Sequence, residues 1–96
     1  MITYDLVMTT TETKPITVNV QDLRDGETVL SAVVTHSPPD GGAVLSITPS
    51  VETPYITMAF GPFATPGYHF VKVQAVGTAS PPSKPEVVYT ILVKDI

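Results

Sequence analysis

The chain has 96 residues, of which 43% are hydrophobic and only 15% charged, with a formal net charge of −4 and no cysteine. This length fits one domain, and five scattered basic residues in an acidic chain argue against nucleic-acid binding, which needs clustered cations. The lack of cysteine excludes disulfides and thiolate metal sites, and no apolar run approaches the roughly 18 residues of a membrane span.

Ten prolines and six glycines divide the chain into short segments rich in Val, Ile, Thr and Tyr, a composition typical of β-strands. Alternation of apolar and other residues predicts the first three strands over residues 2–9, 16–20 and 28–36. The residues between the first two strands break this alternation, as a turn or the hinge of a movable arm would. We therefore expect residues 1–14 to form an N-terminal strand or arm, and residues 15–96 to form the domain.

The second half of the chain continues the same pattern after a Pro-Pro-Asp-Gly-Gly turn at residues 38–42. Further alternating stretches predict strands over residues 43–48, 56–60, 68–76 and 87–94. Segments too short for helices, separated by turn residues about every ten positions, are typical of a sandwich. The sequence thus predicts an all-β protein, an immunoglobulin-like antiparallel β-sandwich of about seven strands.

Three segments resemble sequences of the immunoglobulin-like proteins of tailed bacteriophages. Residues 22–29 (DLRDGETV) resemble the D-L-x-D-G-D-T-I stretch that leads into an early strand of those proteins. Residues 66–73 (PGYHFVKV) resemble the G-x-Y-x-V-x-V entry of their penultimate strand, and residues 89–94 (YTILVK) resemble their last strand. The chain lacks the Cys…Trp…Cys framework of antibody domains and the tryptophan often present in the middle strands of the phage modules.

The resemblance implies a non-enzymatic structural protein of the virion, foremost a capsid decoration (cement) protein that binds and stabilises the assembled head. Its partner would be the major capsid protein or another virion protein, after synthesis in the host cytoplasm. It implies a homo-oligomer, and a trimer would bridge neighbouring capsid subunits. No cofactor, direct nucleic-acid contact or membrane association is expected.

The alternative is a glycan- or cell-surface-binding module of a phage tail or fibre. Sugar sites usually present an aromatic platform, and the chain has no tryptophan. Tyr4, Tyr55 and Phe63 could serve in its place.

Candidate partner-binding residues lie at the N-terminus and in one connection. Ile2, Tyr4, Leu6 and Met8 share one face of the first predicted strand, which could instead add to the sheet edge of a neighbour, since edges carry unpaired N–H and C=O groups. Phe63 follows Pro62 in a predicted connection, where the sequence does not ensure burial in its own domain.

The remaining aromatic and imidazole side chains suggest structural roles. Tyr68 resembles the corner tyrosine of Greek-key sandwiches, whose hydroxyl bonds back to the backbone. His36 is expected to be a solvated turn residue and His69 a partly buried strand residue. His69 has no acidic neighbour in sequence to orient it for acid–base catalysis, and no catalytic role is expected of either histidine.

Four acidic residues could supply oxygens to calcium: Asp22, Asp25, Glu27 and Asp40. Their spacing does not match an EF-hand loop, and capping of a turn explains the first two more simply. A nucleophile elbow and a phosphate-binding loop are also missing from the sequence. We therefore predict no catalytic residue, metal site or cofactor.

Overall fold

The computed structural model describes residues 2–20, 23 and 25–95. Within these residues the chain forms strands and no helix, so no helix that could span a membrane is present in the described part. The strands are β1 (Ile2–Thr9), β2 (Lys14–Asn19), β3 (Val29–Ser37), β4 (Ser50–Glu52), β5 (Tyr55–Phe60), β6 (Gly67–Gly77) and β7 (Glu86–Lys94). The predicted all-β class is confirmed.

The strands form two sheets that pack face to face. One sheet has four strands in the order β1-β7-β6-β3, and the other has three in the order β2-β5-β4. Five strand pairings build them, and four of these are antiparallel. The expectation of a wholly antiparallel sandwich is corrected at β1, which pairs in parallel with β7 from Ile2↔Val87 to Thr9↔Lys94.

The N-terminal segment is part of the sandwich rather than a separate arm. Every residue of β1 has a partner on β7, and Met8 is only 1% exposed. Ile2 and Leu6 pack against the core from the same face. The boundary predicted after residue 14 falls at the first residue of β2, and β1 and β2 belong to opposite sheets of one sandwich.

Hydrophobic side chains on the inner faces of both sheets form the core. Its members come from six of the seven strands and from the connections: Met8, Ile16, Val18, Val20, Val29, Ile47, Ile56, Met58, Phe60, Phe63, Val71, Val73, Ala75, Val87, Tyr89, Ile91 and Val93. Burial of each large apolar side chain stabilises the fold by roughly 1.5–3 kcal/mol. With no disulfide, this packing and the sheet hydrogen bonds hold the domain together.

The predicted strand over residues 43–48 is wrong. That segment buries Ile47 but pairs with no strand, and the fourth strand is instead Ser50–Glu52, which pairs with β5. The amide of Leu45 donates to the ring of His36 at 2.8 Å, so a side chain replaces a strand partner. The alternation of apolar residues therefore indicated that one side of the segment is buried, but the segment forms no hydrogen-bonded pair with another strand.

A half-buried carboxylate contact closes one end of the sandwich. Glu27, just before β3, accepts hydrogen bonds through Oε2 from the amides of Ala79 (3.0 Å) and Ser83 (3.1 Å). A Cβ added at Gly77 would overlap this carboxylate. Gly77 therefore leaves the room that lets Glu27 hold the connection between β6 and β7.

Replacing Gly77 by Ala should push the Glu27 carboxylate away from its two amide donors and lower the free energy of unfolding by about 1–3 kcal/mol. Glu27→Ala should cost a similar amount. The double variant should lose clearly less than the sum of the two, because both changes break the same contact. Urea unfolding of all three variants measures this, and strictly additive losses would contradict the contact.

Candidate functional site

The outer face of the four-stranded sheet carries a contiguous, exposed apolar surface. Val7 lies opposite Leu92, and Leu92 lies opposite Tyr68, so these three side chains form one row across β1, β7 and β6. Phe70 follows on the same face of β6. Val7, Tyr68 and Phe70 are 56%, 59% and 47% exposed. We call these four residues the outer patch.

Strand alternation places the outer patch where it is. The inward positions of β6 are taken by core residues such as Val71 and Val73, so Tyr68 and Phe70 must point to solvent. The corner role predicted for Tyr68, a hydroxyl bonded back to the backbone, is not found: the side chain is 59% exposed and makes no hydrogen bond with the described residues. Isolated exposed apolar side chains are ordinary, whereas a contiguous group of them makes this face a candidate interaction surface.

The outer patch borders a shallow, open depression of about 310 Å³. It is lined by Asp5, Leu6, Val7, Tyr68, Thr90 and Leu92. Farther along the same face Lys72 forms an ion pair with Glu86 at 3.3 Å. An apolar centre bordered by polar groups is the usual anatomy of a protein-binding surface.

A second cavity lies between the two sheets and measures about 10 Å³. That is about the space of one water molecule.

The predicted partner-binding face of β1 points inward. Its four residues are Ile2, Tyr4, Leu6 and Met8. Of these, only Tyr4 is largely exposed, at 48%, and its ring stacks on Tyr89 with centroids 5.3 Å apart. Burial, and then the neighbouring Tyr4, raises the pKa of Tyr89. The predicted partner-binding face of β1 thus covers the core beside β7.

Phe63 also lies inside the domain. It is 2% exposed, and its ring centroid is 4.9 Å from that of His36 and 4.8 Å from that of His69. The ring centroid of Phe60 lies 6.5 Å from that of Phe63. A side chain held in this way is not available to a partner on the folded surface.

Both histidines are buried, which corrects the expectation that His36 is solvated. His36 is 6% and His69 1% exposed, and their rings are nearly parallel with nitrogens 2.8 Å apart. Burial, and then the proximity of His69, lowers the pKa of His36. The burial of His36 could have been predicted from the sequence, because His36 continues the inward positions of Ala32 and Val34 on β3.

The acidic residues considered for calcium do not converge. Glu27 precedes β3 and Asp40 follows it, so the length of a nine-residue strand separates them. Asp25 lies in the turn before Glu27, and Asp22 lies outside the described residues. Within the described ranges no group of three or more His, Asp or Glu side chains could hold a metal ion.

Comparison with known proteins supports the fold and no family. No family model matches the chain, and no curated protein matches it in sequence. Among solved structures it is similar to a cysteine protease inhibitor from Entamoeba histolytica, with a TM-score of 0.55 and 15% identity. That match covers 97% of this chain and 92% of the other. Together with the strand order, it shows that the chain is an immunoglobulin-like β-sandwich.

The same substitution at two phenylalanines should separate the core from the outer patch. Phe63→Ala should lower the free energy of unfolding by about 3–5 kcal/mol, because it leaves a cavity among buried rings. Phe70→Ala should cost about 1 kcal/mol or less, since its ring is already half exposed. Guanidinium denaturation of both variants measures the difference, and equal losses would contradict the assignment of Phe70 to the surface.

Proposed function

We propose that this protein is a non-enzymatic structural protein of a phage virion, a decoration protein that binds the assembled head through the outer patch. The observation that carries the proposal is the contiguous apolar face on which Val7, Tyr68 and Phe70 are exposed and Leu92 is half-buried between Val7 and Tyr68. A partner that covers this face gains the free energy of burying it. The partner is inferred to be a virion protein because residues 22–29, 66–73 and 89–94 resemble phage immunoglobulin-like proteins.

The chemistry of the surface supports docking rather than catalysis. Tyrosine and phenylalanine are enriched in the cores of protein interfaces, where an aromatic ring buries a large area with few rotatable bonds to immobilise. Repetition of identical sites over a symmetric shell would multiply a modest affinity if the protein is an oligomer. The partner would be the major capsid protein or another virion protein that repeats on the head.

Replacing aromatic side chains of the outer patch should weaken association with assembled heads. Tyr68→Thr and Phe70→Thr keep good strand formers on β6 but remove the rings. Each should weaken binding about tenfold or more, which corresponds to about 1.4 kcal/mol. Co-sedimentation with heads assembled from the major capsid protein of the same genome measures this.

The matched control is Val44→Thr, because Val44 is 71% exposed but lies in the connection between β3 and β4, outside the outer patch. It should bind within about twofold of the parent, a change of only about 0.4 kcal/mol. No association of the parent chain with heads, or equal binding by all variants, would contradict the proposal. Light scattering of the parent chain reports whether it is a trimer or another oligomer.

The second candidate is a glycan- or cell-surface-binding module of a phage tail or fibre. Tyr68 and Phe70 present two neighbouring exposed rings on one face, which is the platform that sugar rings stack on. A glycan array distinguishes the two candidates. Glycan binding by the parent chain that is lost in Tyr68→Thr, together with no binding of the parent chain to heads, supports this second candidate. Inhibition of a cysteine protease by the parent chain would contradict both and would assign it the activity named for its structural neighbour.

A further inference from the structure

Two buried histidines connect two backbone segments through a continuous chain of hydrogen bonds. The amide of Leu45 lies 2.8 Å from Nδ1 of His36, and Nε2 of His36 lies 2.8 Å from Nδ1 of His69. Nε2 of His69 lies 2.6 Å from the carbonyl oxygen of Thr65. We call His36 and His69 the histidine pair. It joins the connection that contains Leu45 to the connection that contains Thr65, across the ends of β3 and β6.

The two backbone ends determine where every proton in this chain lies. The amide of Leu45 can only donate, so Nδ1 of His36 is an acceptor and carries no proton. The neutral ring of His36 then carries its proton on Nε2 and donates it to Nδ1 of His69. His69 in turn carries its proton on Nε2 and donates it to the carbonyl of Thr65, which can only accept. Both rings are neutral, and all four ring nitrogens have partners.

No position in the chain can take another proton without losing a hydrogen bond. A proton on Nδ1 of His36 would face the amide of Leu45, donor against donor. A proton on Nδ1 of His69 would face the N–H of His36. If His36 responded by moving its own proton to Nδ1, the conflict would again fall on Leu45. Protonation of either ring therefore breaks the contact at Leu45 or the contact between the rings.

The surroundings offer little to stabilise a positive charge on the histidine pair. Phe63 covers both rings, and no charged residue occurs in β3 or in residues 61–66. In residues 38–49 the one charged residue, Asp40, is exposed. Lys72 of β6 points to the outer face and pairs with Glu86 of β7, and Lys94 at the end of β7 is exposed.

We infer that the histidine pair is an acid-sensitive latch, whose protonation releases residues 43–49 from the end of β3 while the two sheets stay paired. Leu45 and Ile47 would then leave their positions at the edge of the core, since the amide of Leu45 is joined to β3 by a ring nitrogen rather than by a strand ladder. The inference does not depend on the proposed function, because it concerns the inner face of the sheet and not the outer patch.

The pH dependence follows from the direction of the pKa shift. Burial, and then His69, lowers the pKa of His36 in the folded protein below 6.5. The unfolded chain therefore binds its proton first as the pH falls. The stabilisation that the neutral histidine pair gives the fold is fully present above about pH 6.5 and is lost progressively below it. Stability should thus fall between pH 7.5 and pH 5 in a range where the carboxylates change little.

Nuclear magnetic resonance of the parent chain tests the latch without any substitution. At pH 7.5 the ring ¹⁵N shifts should show both histidines protonated on Nε2 alone. Between pH 7.5 and pH 5 the protection of the Leu45 amide from hydrogen exchange, corrected for intrinsic rates, should fall about tenfold or more. Amides of β5, the central strand of the second sheet, should keep their protection over the same range and serve as the internal control.

Three results would overturn the inference. These are a proton on Nδ1 of either ring at pH 7.5, a pKa of 6.5 or above for His36, or Leu45 protection that does not change with pH. The double variant His36→Gln/His69→Gln adds a second test, because two glutamines can keep the same order of donors and acceptors from the Leu45 amide to the Thr65 carbonyl, but neither side chain titrates. It should remove the pH dependence of protection at residues 43–49, and persistence of that dependence would contradict the latch.

Discussion

The alternation of inward and outward side chains along β6 is the constraint on which the rest of the structure depends. β6 pairs with β3 on one side and β7 on the other, and its inward side chains meet the second sheet. Any slip by one residue would place Lys72 in the core and Val71 and Val73 in water. The same register that builds the core therefore also exposes Tyr68 and Phe70, at a cost that the buried face more than offsets.

The strands were predictable because the core has a period of two. The alternation of residues 2–9 gives the bounds of β1, and the apolar positions of residues 87–94 give β7 except for one residue at its start. The segment 43–48 has the same alternation and is not a strand. Alternation indicates which side of a segment is buried. Strand pairing also needs a neighbouring strand with free backbone groups, which alternation does not indicate. His36 supplies that partner here, through a side chain that the pattern could not show.

The candidate site was harder to predict because it depends on which residues of different strands meet. Phe63 belongs to a proline-rich connection, and only the arrangement of the two histidines around it shows why it is buried. Tyr68 follows the glycine that opens β6, the position at which the resemblance suggests a corner tyrosine, but its register on β7 places it opposite Leu92 on the outer face. One signal was present in the sequence: Tyr68 and Phe70 share a face with Lys72 and Gln74, which is a solvent face by composition.

The outer patch and the histidine pair meet at three consecutive residues of β6 but remain mechanically separate. Tyr68, His69 and Phe70 are each held by β7, opposite Leu92, Ile91 and Thr90. These ladder bonds place the backbone of β6 whether or not His69 is hydrogen-bonded to His36. The histidine pair acts instead on residues 43–49, which have no ladder of their own. A proton taken up inside the sandwich would therefore loosen a connection while leaving the side chains of the outer patch where the sheet holds them.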